Sequence, residues 1–555
     1  MTPDTNRRSG VGRVQPATWF ALATIALTAA AWLETWLARW PGRGPLDHPM
    51  FERLFAFYDN WGAVLAIAIV VLVWCSPALR RWGQQLARAM GEQPLPTALI
   101  TFVILAFGAR FAYHAHALAM DESAPLAQAY AFAQGRLSWT LPPELLDRMI
   151  PEGFRGSFLA VDRLSGETAS MYWPGFAALL TPFAWAGVPW LLNPLLTAAT
   201  LLLIHALALR IIGSREAAGW ALLFTLGSPV IAANGISFYS MPAHLAANLL
   251  YALLLLDARP RRAFAAGLVG GLALVLHNPV PHLLFAVPWG VWLVLDRSRW
   301  PALGALLAGY LPGIAVTAAW PAFVDHIAPV AATSPHESLR ELAAVKLGQA
   351  LALPQYQTVL YRLAGTWKLW LWSVPGLLIL AFAGARRMDG PLARLAACAL
   401  LTYAGYWLVP VDQGHGWGYR YMHSGWAALP LLAAALMVAE PASSASGRAW
   451  RAWAGGLAVA SLVLANTLRL VQVESVLSEH LAQLMPAPAT GHWVRFVTPR
   501  RGLYSWDIIQ NVPGRDQVLT LMSFGAGSDR QLMAERFPAA VPVVADGRGS
   551  LWRLE

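Results

Sequence analysis

The sequence predicts an all-α polytopic membrane protein, with about thirteen transmembrane helices and a small extracytoplasmic α/β C-terminal domain. Three observations lead there. Of 555 residues, 57% are apolar and only 13% charged, with mean hydropathy +0.47. Soluble domains carry about a quarter charged residues, so a soluble enzyme, a coiled coil and a disordered chain are all excluded. The apolar residues fall into runs near the ~20 residues that a bilayer core requires. Finally, the basic residues alternate along the chain as the sidedness of short loops demands.

The apolar runs are 17–37, 61–77, 97–116, 190–212, 217–233, 241–256, 263–276, 280–295, 301–320, 369–385, 392–409, 426–439 and 453–468. The first follows Arg7, Arg8 and Arg13 but is too long for a signal peptide, and it ends in Leu-Ala-Arg-Trp. It reads as a retained span. With the N-terminus in the cytoplasm, every second connection should be basic. Arg80, Arg81 and Arg88 fit, as do Arg210 and Arg215, Arg259 with Arg261 and Arg262, Arg297 and Arg299, Arg386 with Arg387 and Arg394, and Arg448 with Arg451. The short connections 234–240 and 277–279 hold no Lys or Arg. An odd number of spans leaves the C-terminus outside. The segment 172–187 (YWPGFAALLTPFAWAG) breaks the alternation if it crosses, so it is expected to lie in the interface or to dip partway in.

Net charge is +10, from 40 Lys+Arg against 30 Asp+Glu, with Lys346 and Lys368 the two lysines. Basic runs between apolar stretches indicate membrane orientation and exclude nucleic acid as a partner. Cys75 and Cys398 lie inside apolar runs, where thiols act as small hydrophobes; neither a disulfide framework nor a zinc site is available. The polar material is expected outside, as loops 117–171, 321–366 and 410–424 and a tail, 471–555. Pieces of the tail at 518–524, 541–544 and 550–554 suggest a mixed α/β domain.

Chemistry-bearing residues gather in those outer segments. Asp121-Glu122 opens the first loop; a carboxylate under a partly apolar roof can take a proton from an attacking hydroxyl, or can simply favour a helix start. Residues 412–421 (DQGHGWGYRY) set His415, Tyr419 and Arg420 among glycines. That pattern suits phosphate, which Arg matches with its planar fork, or an interfacial aromatic belt with one snorkelling Arg. In the second loop His326, His336, Glu337, Arg340, Glu341, Tyr356 and Arg362 read mainly as solvated groups, while Lys346 and Lys368 are candidate phosphate ligands. His244, His277 and His282 lie at helix ends, where neutral hydrogen-bonded histidines are the common outcome. Their spacing resembles no metal site, and no metal ligand is assigned.

Asp121-Glu122 with Leu126, Ala129 and Gly135-Arg136-Leu137 resembles the acidic first-loop motif of integral-membrane glycosyltransferases of the C-type fold. That superfamily includes the lipid A aminoarabinose transferases and the protein O-mannosyltransferases. Residues 172–183 look like the Pro-Gly segment that follows that loop, and 416–421 with Leu429-Pro430-Leu431-Leu432 are similar to a late Arg-Tyr element before a Leu-Pro helix. The resemblance spans roughly 97–439, inside a transmembrane unit of 1–470. It implies transfer of a sugar from a polyprenyl-phosphate donor to an envelope glycan, lipid or protein on the outer face of a bacterial inner membrane. Asp121 would be the general base with Glu122 beside it, and Arg420 and Tyr419 would be near the donor phosphate, with His415, Lys346 and Lys368 as further phosphate ligands. No cofactor is assigned and a divalent cation stays open. The alternatives are a lipid-linked-sugar transporter and an inert lipid-binding subunit in which Pro125 displaces the acidic helix.

Overall fold

The computed structural model describes residues 16–37, 52–328, 354–386, 389–409, 413, 416–439, 443–499, 505–514 and 517–555. His415 and Lys346 lie outside these residues, as do His336, Glu337, Arg340 and Glu341. In chain order the helices are α1 (Pro16–Leu37), α2 (Tyr58–Cys75), α3 (Pro77–Glu92), α4 (Pro94–Phe111), α5 (Met120–Ala133), α6 (Gly175–Trp185), α7 (Leu192–Ile211), α8 (Arg215–Leu226), α9 (Pro229–Gly235) and α10 (Met241–Leu255). They continue as α11 (Pro260–Leu274), α12 (Val280–Val294), α13 (Trp300–Ile327), α14 (Tyr356–Leu371), α15 (Leu377–Ala385), α16 (Gly390–Trp407), α17 (Ala428–Ala439), α18 (Ala445–Ala460), α19 (Asn466–Leu481) and α20 (Ala526–Arg536).

Each of the thirteen apolar runs contains a helix. Among the described residues, six helical stretches are long and apolar enough to cross a membrane, and the bent pair α8–α9 makes a seventh. Helices α6, α10, α12 and α17 are apolar but shorter. On α4 only Ala98, Thr101, Leu105 and Ala109 are buried, while Leu99, Ile100, Val103, Ile104 and Phe107 are exposed. A helix apolar all round with one packed stripe is built to face lipid.

Two runs do not form the single helices that their hydropathy suggests. Between α8 and α9 the chain bends by 67° at Gly227-Ser228-Pro229, because Pro229 lacks the N–H that a continuous helix needs. Run 369–385 is split between the end of α14 and the start of α15 by Gly376, whose φ of +83° is left-handed. The cytoplasmic turn expected after α2 is instead the amphipathic helix α3, with Gly83, Ala87, Met90 and Gly91 buried and Arg81 and Arg88 exposed.

Helix contacts rest on small residues, which let backbones approach where no hydrophobic driving force separates helix from lipid. Gly267 and Gly271 of α11 face Gly309 and Gly313 of α13, and a Cβ at Gly313 would lie 2.3 Å from the Gly271 Cα.

Two small sheets follow the loops. Strands β1 (Trp139–Thr140), β2 (Leu159–Val161) and β3 (Glu167–Ser170) pair antiparallel in the order β1-β3-β2. Strands β4 (His492–Val497), β5 (Val518–Met522), β6 (Val541–Asp546) and β7 (Gly549–Leu554) form a sheet in the order β5-β4-β7-β6, with β4 and β5 parallel. The tail does not start at 471, since α19 runs through that residue to Leu481. Beside two small clusters of its own, around Ile508 and around Trp493, its larger core is shared with the first loop. Met120, Trp139, Leu145, Met149 and Ile150 of the first loop bury together with Val494, Phe496, Leu521 and Met533 of the tail. Across that joint Arg148 pairs with Asp529 at 2.6 Å, both buried, and donates to the Met522 carbonyl at 3.0 Å.

Removing one partner of a buried pair strands the other charge. Arg148→Ala is therefore expected to destabilise the loop–tail unit by ~3–5 kcal/mol, read as a lower denaturation midpoint in detergent and faster proteolysis between α19 and β4. An unchanged midpoint would assign the joint to apolar contact alone.

Candidate active site

The site is assembled at the first turn of α5. The N-cap residue Ala119 has no polar side chain to offer the first turn, whose Met120 N–H goes to Asp507, while Glu122 reaches back to the N–H groups of Ala119 and Leu118. Its Oε2 accepts from the N–H groups of Leu118 at 2.7 Å and Ala119 at 3.4 Å, while Oε1 accepts from the Tyr113 hydroxyl and the Phe238 N–H, each at 2.8 Å. Glu122 is fully buried. Burial pushes its carboxyl up to about 7 against the pull of those four donors. Helix α5 runs on through Pro125 without a break.

Asp121, one residue earlier, faces the other way and meets Arg420. The Nη2 of Arg420 donates to its Oδ2 at 2.7 Å, and the Tyr172 hydroxyl donates to its Oδ1. Burial alone would raise the Asp121 carboxyl, but the Arg420 guanidinium, His277 and the Tyr172 hydroxyl hold it well below the usual carboxylate range. Arg420 is fixed by its own turn: its N–H donates to the Gln413 Oε1 and its Nη1 to the Gln413 carbonyl, both at 3.0 Å. Gly416 has a φ of +140°, and a Cβ there would sit 2.5 Å from the Arg420 Cδ, so the arginine folds back only over glycine. The guanidinium lies 4.4 Å above the ring of Tyr239. His277 stacks on Tyr172 at 4.2 Å. Among the described residues no group of three His, Cys, Asp or Glu side chains is placed to hold a metal.

No family profile matches this chain, and no curated protein matches it. Solved structures do, two of them of ArnT from Cupriavidus metallidurans. The apo form has 12% identity and a TM-score of 0.47, and the form bound to undecaprenyl phosphate has 13% identity and a TM-score of 0.50. Each covers 82% of this chain and 97% of the ArnT chain. The chain has the C-type glycosyltransferase fold.

Within that fold the other expected residues separate. Tyr419 is buried, with Gly365 of α14 close against its ring and the rings of Tyr403 and Tyr421 at 6.5 and 6.2 Å. Lys368 belongs to a second ionic group within the bundle: its Nζ donates to Asp59 at 2.8 Å and to the Leu54 carbonyl at 3.2 Å, and Arg469 pairs with the same Asp59 at 2.9 Å. Five residues that the sequence did not single out for the site, or weighed only as structural, stand around the Asp121–Arg420 pair or brace it: Tyr172, Tyr239, His277, Gln413 and Asp507. The Oδ1 of Asp507, from the tail, accepts the Met120 N–H at 2.7 Å, and Gln510 donates to the Ala117 carbonyl at 2.8 Å. Burial pushes the Asp507 carboxyl up to about 7, and Asp121 adds to the shift.

A carboxyl whose folded pKa is raised binds more protons when folded, so its contribution to stability is present at low pH and is lost as pH rises through about 7. The denaturation midpoint of the wild type, relative to Asp507→Asn, is expected to fall between about pH 4 and pH 7 and to level off above that. Parallel midpoints across that range would show that Asp507 does not titrate there.

Proposed function

We propose that this chain is a membrane glycosyltransferase that moves a sugar from a polyprenyl-phosphate donor to a glycan, lipid or protein acceptor on the extracytoplasmic side of a bacterial inner membrane. The arginine alternation supports a cytoplasmic N-terminus, about thirteen crossings and an external tail. The observation that carries the reading is the Asp121–Arg420 pair, brought to 2.7 Å from positions 299 residues apart. The likeness to ArnT, one structure of which holds undecaprenyl phosphate, supports the lipid-phosphate donor.

Displacing a sugar from phosphate needs a base for the nucleophile and positive charge for the leaving group. In this reading the donor phosphate takes Arg420, whose planar fork suits it better than a single carboxylate oxygen does. Asp121 loses its counter-charge and gains basicity. It then accepts the proton of the acceptor O–H or N–H while that atom bonds to the anomeric carbon. The anomeric C–O bond breaks, its electrons pass to the phosphate, and Arg420 holds the polyprenyl phosphate that leaves. Lys368, held by Asp59, is assigned to the bundle; Tyr419 supports the Arg420 turn; and His415 and Lys346 are further candidates for the phosphate.

Labelled sugar transfer from undecaprenyl-phosphate donors tests this. Asp121→Asn keeps the shape and releases Arg420, so turnover should fall about 10²–10⁴-fold with the donor KM unchanged or lower. Arg420→Gln should raise the donor KM and lower kcat together. Wild-type turnover in Asp121→Asn would remove Asp121 from the chemistry.

A further inference from the structure

Beside the ion pair lies a set of buried polar atoms with no hydrogen-bond partner among the described residues. Tyr239 is 1% exposed; its backbone is pinned by Asn193 and Ser237, and its ring carries Arg420, yet its hydroxyl has no hydrogen bond among the described residues. His277 stacks on the tyrosine that binds Asp121, and its Nδ1 is likewise buried and unpartnered. His244, 3% exposed at the start of α10 and within electrostatic reach of His277, has neither ring nitrogen bonded. His282, also within reach, shows the contrast: its nitrogens meet the Asn248 side chain at 2.7 Å and the Tyr310 hydroxyl at 2.6 Å.

Proteins satisfy over ~90% of buried polar groups, and each exception is unfavourable by ~1–3 kcal/mol, so several at one reactive centre need an explanation. We propose that Tyr239, His277 and His244 form the pocket for the donor's sugar ring, and that this sugar is an uncharged, hydroxyl-bearing one. The proposal rests on the glycosyltransferase reading. A sugar joined to a phosphate at Arg420 must lie against the two rings that flank the pair, those of Tyr239 and His277. Hydroxyls both donate and accept, which matches a phenol and neutral imidazoles. An ammonium would need a carboxylate of its own, but Asp121, once Arg420 turns to the phosphate, has to stay open to the acceptor's proton, and all four Glu122 bonds are taken. The remaining carboxyl, Asp507, already accepts from Met120.

The test measures transfer from undecaprenyl-phosphate glucose, galactose, mannose, arabinose and aminoarabinose into acceptor-containing membranes, alongside thermal midpoints in detergent and binding of sugar-free undecaprenyl phosphate. Tyr239→Phe and His244→Leu should each lower kcat/KM for the preferred neutral donor by about 5- to 100-fold. Neither should weaken undecaprenyl phosphate binding or lower the thermal midpoint, because deleting an unpartnered group removes no protein contact. Unchanged kcat/KM in both variants would overturn the pocket, as would lowered midpoints with weaker phosphate binding, which would mark these groups as structural and water-held. Preference for the aminoarabinose donor would overturn the neutral class. Absence of wild-type transfer from every donor would instead sink the glycosyltransferase reading, and the pocket with it.

Discussion

One buried carboxylate organises this end of the molecule. Glu122 has no access to water, and an ionised or even neutral carboxyl is tolerated there only if its lone pairs are occupied. The four donors that occupy them come from the end of α4, the loop before α5 and the turn before α10. The Tyr113 hydroxyl that donates to Glu122 also accepts the Trp417 indole N–H at 3.1 Å, and Asn234 binds the Trp417 carbonyl at 3.0 Å. The turn bearing Arg420 is thereby tied to the turn bearing Asp121. Glu122 works through these groups; the acid beside it meets the arginine.

Close glycine contacts and a core that includes Trp220, Trp289 and Trp426 pack the bundle, but apolar packing sets no register for a polar centre. Hydrogen bonds from α14 and from the tail supply it. Helix α14 places Arg362 against the carbonyls of Tyr406 and Val409 at 2.8 Å each, beside the turn that carries Tyr421. The tail reaches over the first loop and holds the start of α5 through Asp507 and Gln510. Because loop and tail share one apolar core, neither can shift without exposing Trp139, Phe496 or Leu521.

Helix locations were legible because lipid-facing segments must be apolar along their whole length. The breaks at Gly227 and Gly376 were less so, since a run of hydropathy does not register a single residue of altered backbone. Strand β4 escaped notice for a different reason. Trp493, Val494, Phe496 and Val497 are all buried, because both faces of the sheet are covered, and the two-residue alternation that marks a half-exposed strand is absent. Asp121 and Arg420 stood out by residue type and sidedness. Asp507 did not, because its meaning lies in a contact 387 residues away. Lys368 drew attention through rarity, yet what decides its place is Asp59, an acid at the start of α2 that hydropathy passes over.

In the proposed reaction Arg420 has two claimants, and this sets the order of events. Any gain in phosphate affinity must exceed the loss of the Asp121 pair, and by linkage the bound phosphate raises the proton affinity of Asp121 by an equal free energy. The empty enzyme therefore holds its base neutralised, and the base becomes competent only with a donor in place. As the anomeric bond stretches, negative charge grows on the phosphate and draws Arg420 more strongly at the moment when the acceptor proton must leave. Stabilisation that increases toward the transition state accelerates the step, whereas equal stabilisation of ground and transition states would not. A single guanidinium between two oxyanions thus couples leaving-group departure to base activation without a moving domain, provided that Gly416 lets the arginine fold back and Gln413 keeps it there.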